Sequence, residues 1–221
     1  MVNMQTSIPD LVKNRAVFYR EQASYMYDSH AYTLANFIVE LPWLGFIILV
    51  ILPIIYFMLG LNPDAAVFFQ HYIFLYAIAL VFVSFGQLFA ASMPSFEVAM
   101  AVAGAAAPLT FLFGGLFAPV STMPAGTQWV SMIDPVYYAF RALIPPHFWC
   151  DVSAPGAQCP TIKVPSPKGG LVTMDRYAYV AATYDVSYAD RWTNFGYIWI
   201  FIAIIQVGVF YNVRYKRFIV R

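Results

Sequence analysis

Hydrophobic and polar positions fall along this chain in long blocks, and the blocks predict its elements. Residues 98–119 hold no charge, open with small residues from 99 to 107, carry Pro108 and close on Phe113, Gly114, Gly115, Leu116 and Phe117. At about 1.5 Å of rise per residue, a helix of this length crosses a hydrocarbon core of roughly 30 Å. Small residues let a neighbouring helix approach closely. The block is therefore expected to be an inner helix, with its bulky end filling space where helices converge.

Three more blocks share this character. Residues 41–63 are uncharged, with Pro42 near the start and Pro53 inside as an expected kink. A turn at 60–64 separates them from a second uncharged stretch, 65–96. The last block precedes the basic C-terminus. The pattern predicts an all-α polytopic membrane bundle with four spans at about 41–60, 66–91, 98–118 and 193–211.

The segments between the spans are also informative. Within residues 10–32, Phe18, Gln22, Tyr25 and Met26 recur at helical spacing among charges, which predicts an amphipathic helix on a membrane surface or a partner. Residues 1–33 form a cytoplasmic segment in this reading, and 34–221 the membrane domain. The stretch 120–191 is a long outer loop. Inside it, residues 129–144 are apolar and aromatic but too short between breakers to span, so a re-entrant or interfacial helical pair is expected. Asp134 and Arg141 lie two helical turns apart and are expected to pair, and 150–170, rich in Pro, Gly and Ser, reads as exposed loop.

Composition names the solvent. Of 221 residues, 61% are hydrophobic and 10% charged, whereas soluble domains carry about 25% charged residues. The aromatic share of 19% suits belts of Tyr and Trp at membrane interfaces. A net charge of +1 argues against a nucleic-acid partner. The first nine residues show no basic n-region and apolar h-region, so no cleavable signal peptide is expected there.

Charge also orients the chain. Lys13, Arg15 and Arg20 precede the first span, and Arg214, Lys216, Arg217 and Arg221 follow the last. Four spans put both basic ends on one side, the cytoplasm. Cys150 and Cys159 then lie outside, where a disulfide is the expected state and two free thiols the alternative.

Candidate chemistry is sparse. His30, His71 and His147 are scattered, with no His-Glu-x-x-His or Gly-x-Ser-x-Gly stretch, so neither a metal site nor a catalytic residue is expected. Gln87, Thr110 and Gln206 are uncharged polar residues within spans and are expected to hydrogen-bond between helices. Glu40 and Glu97 stand at span edges, within reach of the interface.

A set of short motifs extends this reading. Phe18-Tyr19-Arg20-Glu21, Met26-Tyr27, Ala31-Tyr32 and Glu40-Leu41-Pro42 are followed by Tyr56-Phe57-Met58-Leu59-Gly60-Leu61, Phe85-Gly86-Gln87, Gly114-Gly115-Leu116-Phe117 and Asp134-Pro135-Val136-Tyr137-Tyr138. In this order they resemble the landmarks of G-type ABC transporters, in particular the pleiotropic drug resistance branch. The resemblance implies that the four spans are the family's third to sixth membrane helices, in an exporter of hydrophobic or amphipathic small molecules or lipids that works by alternating access. It implies a plasma-membrane address, a bilayer environment, a second transmembrane half and nucleotide-binding domains that hold ATP and magnesium. The chain has no Gly-x-x-x-x-Gly-Lys-Ser/Thr loop, so it is expected to be part of a longer transporter and no enzyme by itself.

The resemblance also implies roles. Arg20 and Glu21 fall in the segment that couples to the nucleotide-binding domain; Ala107, Pro108, Thr110 and Phe111 fall on the wall of the substrate cavity; Leu116 and Phe117 match the apolar plug. The plain alternatives are a solvated juxtamembrane pair for Arg20 and Glu21 and core packing for Leu116 and Phe117. A non-transporting membrane scaffold or regulatory fragment is the rival function. A passive channel lacks any ring of charge or filter-like loop.

Overall fold

The computed structural model describes residues 2–117, 119–150, 159–165 and 171–218. Its elements are α1 (Val2–Ala23), α2 (Ser29–Met58), α3 (Ala65–Ser92), α4 (Phe96–Phe113), α5 (Gln128–Ile133), α6 (Pro135–Leu143), α7 (Pro145–Phe148), β1 (Thr161–Pro165), β2 (Leu171–Asp175), α8 (Arg176–Tyr184) and α9 (Arg191–Tyr215). Four of them, α2, α3, α4 and α9, are long and apolar enough to cross a membrane, which gives the expected all-α bundle of four spans.

Short polar side chains start the first three of these helices. Asp28 accepts from Ser29 N, Asp64 from Ala66 N at 3.0 Å and Ser95 from Val98 N at 3.4 Å, each satisfying an N–H that the first turn leaves free. The Asp28 cap starts α2 at Ser29 rather than near 41, so Pro42 lies inside the helix. Residues 29–40 can join the helix because their one charge, Glu40, accepts a hydrogen bond from Ser7 Oγ at 2.9 Å.

The core lies around α3. On one side, α2 contributes the stripe Leu44, Ile48, Leu52 and Tyr56, and α9 contributes Ile198, Ile202, Ile205 and Val209. On the other, Met4 and Ile8 of α1 and Ala99, Ala103 and Ala107 of α4 form a second cluster with Phe82 and Ala90 of α3. Gly86 makes the α1–α3 contact possible, because a Cβ there would collide with the backbone of Met4. In lipid, close packing of this kind and interhelical hydrogen bonds hold helices together.

The most enclosed helix of this chain is α3, while α4 packs through one face only. Within this chain 61% of the most apolar window of α3 is buried, against 17% for α4. The reason is geometric: α4 buries one alanine stripe, while Gly104, Ala105 and Pro108 face outward. It also ends at Phe113 instead of reaching 118. Gly114 caps it and Gly115 turns the chain at φ +81°; a Cβ on Gly114 would stand 2.6 Å from Val136 Cγ1 of α6.

In the outer segment, α5 and α6 form the expected helical pair. Asp134 separates them and caps α6, accepting from Val136 N at 2.9 Å, with Pro135 as the first helical residue. Arg141 does not pair with Asp134. It meets Asp185 at 3.2 Å and also donates to the Tyr137 hydroxyl, because the cap has already directed Asp134 toward the backbone. The antiparallel hairpin of β1 and β2, along with α8, stands where a long loop was expected. Positions 151–158 and 166–170 of the expected exposed loop lie outside the described residues, as does position 118 of the expected third span. Cys150 and Cys159 form a disulfide with their Cα atoms 5.7 Å apart.

The two basic ends come together. Tyr19 donates to Lys216 O at 3.3 Å and accepts from Phe218 N at 3.2 Å, and the Arg15 guanidinium lies 5.0 Å from the Phe218 ring centroid. An even number of spans puts α1 and the end of α9 on one side, and these contacts bring them together there.

Candidate functional site

The turn between α1 and α2 presents a built knob. Phe18 is buried, with its ring stacked on Tyr32 at 4.2 Å and 6.0 Å from Tyr27, so apolar contacts hold the end of α1 against the start of α2. Polar ties reinforce them: Tyr27 donates to Glu21 Oε2 at 2.6 Å and Gln22 to Ser29 Oγ at 2.8 Å. The Glu21 carboxylate, through that hydrogen bond first, pushes the Tyr27 phenol up to about 12, so Tyr27 remains a donor at any physiological pH. At the tip, Tyr25 sits in the left-handed region at φ 57° and is 95% exposed, followed by Met26 at 70%. A bulky non-glycine residue in that region is uncommon and carries strain.

Arg20 and Glu21 therefore do different things. Glu21 is half-buried and braces the turn through Tyr27, while Arg20 is exposed beside the tip. The knob is anchored to the bundle as well. Arg15 donates to Pro94 O at 3.2 Å and to Ala90 O, two carbonyls at the C-terminal end of α3. Hydrogen bonds and close packing thus tie the turn through α1 to the core helix, with no loose loop between them.

A polar chain crosses the bundle near that end. Gln206 of α9 donates to Ser84 Oγ at 3.0 Å and to Gln87 Oε1 at 2.9 Å, and Gln87 donates to Asn36 O of α2 at 3.4 Å. Thr110, in contrast, bonds to Ala107 O of its own helix at 2.8 Å.

The four residues assigned to a cavity wall do not share one face of α4. Ala107 is buried in the cluster with α1 and α3, and Phe111 stacks on Phe82 at 5.6 Å; Pro108 is exposed and Thr110 half-buried. Leu116 and Phe117 lie past the helix end, 41% and 73% exposed. Neither belongs to a core cluster among the described residues.

A family profile described as ABC-2 type transporter matches residues 1–146. The chain belongs to the ABC-2 type transporter family. It is similar to ABC transporter G family member 2 of Dictyostelium discoideum, 33% identical over 135 residues covering 60% of this chain and 10% of that protein. It is likewise similar to ABC transporter G family member 40 of Arabidopsis thaliana, 33% identical over 143 residues, 65% of this chain and 10% of that one. ABC multidrug transporter H of Aspergillus fumigatus is 25% identical across 96% of this chain and 16% of its own length. The chain thus spans between 10% and 16% of the length of these relatives.

In this multi-pass ABC-2 membrane domain, Tyr25 and Met26 form the exposed tip of the turn instead of continuing the expected amphipathic helix, because α1 ends at Ala23. The structure also brings together two residues that the pattern of the sequence left apart. His71 of α3 and His147 of α7 meet at 2.6 Å between Nδ1 and Nε2, with the Tyr56 ring 5.6 and 5.7 Å from their rings. Burial pushes the His147 imidazole below its ordinary range, and the pair clasps the outer element to the core helix. Their separation in the chain hid this pairing. Among the described residues no group of three or more His, Cys, Asp or Glu gathers to hold a metal ion.

Proposed function

We propose that the chain is the membrane-embedded part of an ATP-driven exporter of hydrophobic or amphipathic small molecules or lipids, working by alternating access at the plasma membrane. The observation that supports this best is the rigid knob at residues 20–28, tied through Arg15 to the C-terminal end of α3. In this reading ATP and magnesium act on nucleotide-binding domains elsewhere. Arg20, Tyr25 and Met26 seat in such a domain, Glu21 stiffens the knob, and closure of the domain moves α1 and α3 together.

The outward face of α4 meets a second transmembrane half, and between the two halves an apolar cavity takes up substrate by burial more than by directional bonds. Pro108 and Thr110 face that cavity, while Ala107 and Phe111 set the position of α4 against α3. Leu116 and Phe117, exposed past the helix end, meet their counterparts as a plug that excludes water. Replacing both by Ala should change the transport rate of a fluorescent hydrophobic dye; unchanged transport would remove the plug.

The decisive experiment compares ATP binding with dye transport in vesicles holding the full-length natural protein. Arg20→Ala and Tyr25→Ala should each lower transport about tenfold, the equivalent of roughly 1.4 kcal/mol of coupling, and leave ATP binding unchanged. Tyr27→Phe, which removes only the brace to Glu21, should have a smaller effect. Equal loss of binding and transport in the Arg20 and Tyr25 variants would sink the proposal.

A further inference from the structure

On the outward face of the bundle, between α2 and α9, runs an open groove of about 510 Å³. Leu34 and Phe37 of α2 and Trp199, Ile202, Ala203 and Val207 of α9 form its walls, and no Asp, Glu, Lys or Arg lines it. At one end the His30 ring stacks on Phe210 at 3.7 Å, and the Arg214 guanidinium lies 5.9 Å from the same Phe210 ring centroid. Arg214 is exposed and, among the described residues, has no carboxylate partner; Lys216 and Arg217 follow it, both exposed.

We propose that this groove binds one anionic phospholipid, its acyl chain lying along α9 and its phosphate and headgroup at Arg214. The dimensions fit a lipid in one leaflet. From position 199 to position 210 the helix rises about 16 Å, and half of a hydrocarbon core of roughly 30 Å is the depth of one leaflet. The apolar walls accept the chain along that depth, and the cation stands where a headgroup belongs. The basic ends place this mouth at the cytoplasmic leaflet, which carries the anionic lipids. Arg214 stands just past the Phe210 end of the groove, exposed and without a countercharge; an apolar helix laid along the groove would supply none there, whereas a lipid whose chain fills the groove brings its phosphate to that end.

Photo-crosslinking tests this in the full-length natural protein, reconstituted in nanodiscs that contain phosphatidylserine or phosphatidylcholine with a diazirine in the acyl chain. Phosphatidylserine should label residues 199–210 about fivefold more than phosphatidylcholine, and Arg214→Gln should remove that preference. Val207→Trp, at an exposed position, should fill the groove and abolish labelling there by both lipids. Equal labelling by the two lipids that ignores Arg214→Gln overturns the proposal. So does an unlabelled 199–210 segment in a protein whose exposed Trp43 and Phe46 on α2 are labelled, since another protein segment would then cover the groove.

Discussion

Helices α3 and α4 have similar credentials on paper: both are uncharged across their interiors, rich in small and aromatic residues, and long enough to span. Their places differ completely. α3 is surrounded by α1, α2, α4, α6 and α9, whereas α4 rests on one alanine stripe and leaves the rest of its surface open. From Ala77 to Ala90 most side chains of α3 are buried, although Phe69 and Ile73 near its start stay exposed. On α4 the small residues continue onto the open face, a shape that suits a further helix. One helix completes the fold of this chain; the other is suited to completing an assembly.

Glycine substitution gives the strongest test of that difference. A Cβ at Gly86 of α3 would collide with the Met4 backbone, whereas one at Gly104 of α4 meets nothing within 4 Å. Gly86→Leu should therefore cost about 3 kcal/mol through overpacking and separation of α1 from α3. Gly104→Leu should leave unfolding of this domain unchanged or raise its stability by up to about 1 kcal/mol, since Leu is the better helix former. The same Gly104→Leu variant should weaken association with a second membrane half. Thermal unfolding, paired with crosslinking between halves, reads both effects. Equal destabilisation by the two variants would mean that α4 is no less buried than α3.

The sequence shows how far such a difference can be read in advance. The four spans, the helical pair around Asp134 and the common side of the basic ends were legible, because long apolar blocks, breakers and charge bias act locally. Which helix this chain encloses most was not legible. Small residues say only that a neighbour can come close, and the exposed half of α4 has no neighbour among the described residues. The hairpin of β1 and β2 was hidden by the Pro and Gly around it. Of the candidate site, Arg20 and Glu21 stood out in the sequence, but their separation into an exposed group and a structural brace depends on Tyr27, whose hydroxyl reaches back only in three dimensions. The meeting of His71 and His147 is of the same kind.

A second test concerns α6, which wedges against both α3 and α4. Burial raises the Asp134 carboxyl from its ordinary 3.8 to about 7, against the lowering effect of the hydrogen bond from Val136 N. Its folded pKa is raised, so the folded chain holds the proton more tightly than the unfolded one. Stability from this group is full below about pH 4 and is lost as pH rises toward 7, by on the order of 2 kcal/mol after allowance for partial exposure. Asp134→Asn keeps an acceptor for the cap and should flatten the profile. Unfolding midpoints between pH 4 and 7.5 check this; a wild-type midpoint that climbs with pH would contradict a buried, protonated cap.

The smallest expected effect separates the hydrogen bonds of the two helices. Gln206 links α9 to Ser84 and Gln87 of α3, so Gln206→Leu leaves two side chains on the core helix without their partner. Interhelical bonds of this type in membranes contribute about 0.6 kcal/mol on average and up to about 1.7, and a doubly bonded amide belongs near the top of that range. Thr110 bonds only to Ala107 O of its own helix, so Thr110→Val removes nothing between elements and should cost a few tenths of a kcal/mol at most. Denaturation of the two variants in the same bilayer measures the gap. If Thr110→Val proved as costly as Gln206→Leu, the Thr110 hydroxyl would have to reach a partner beyond its own helix, and α4 would be held in the bundle by more than its alanine stripe.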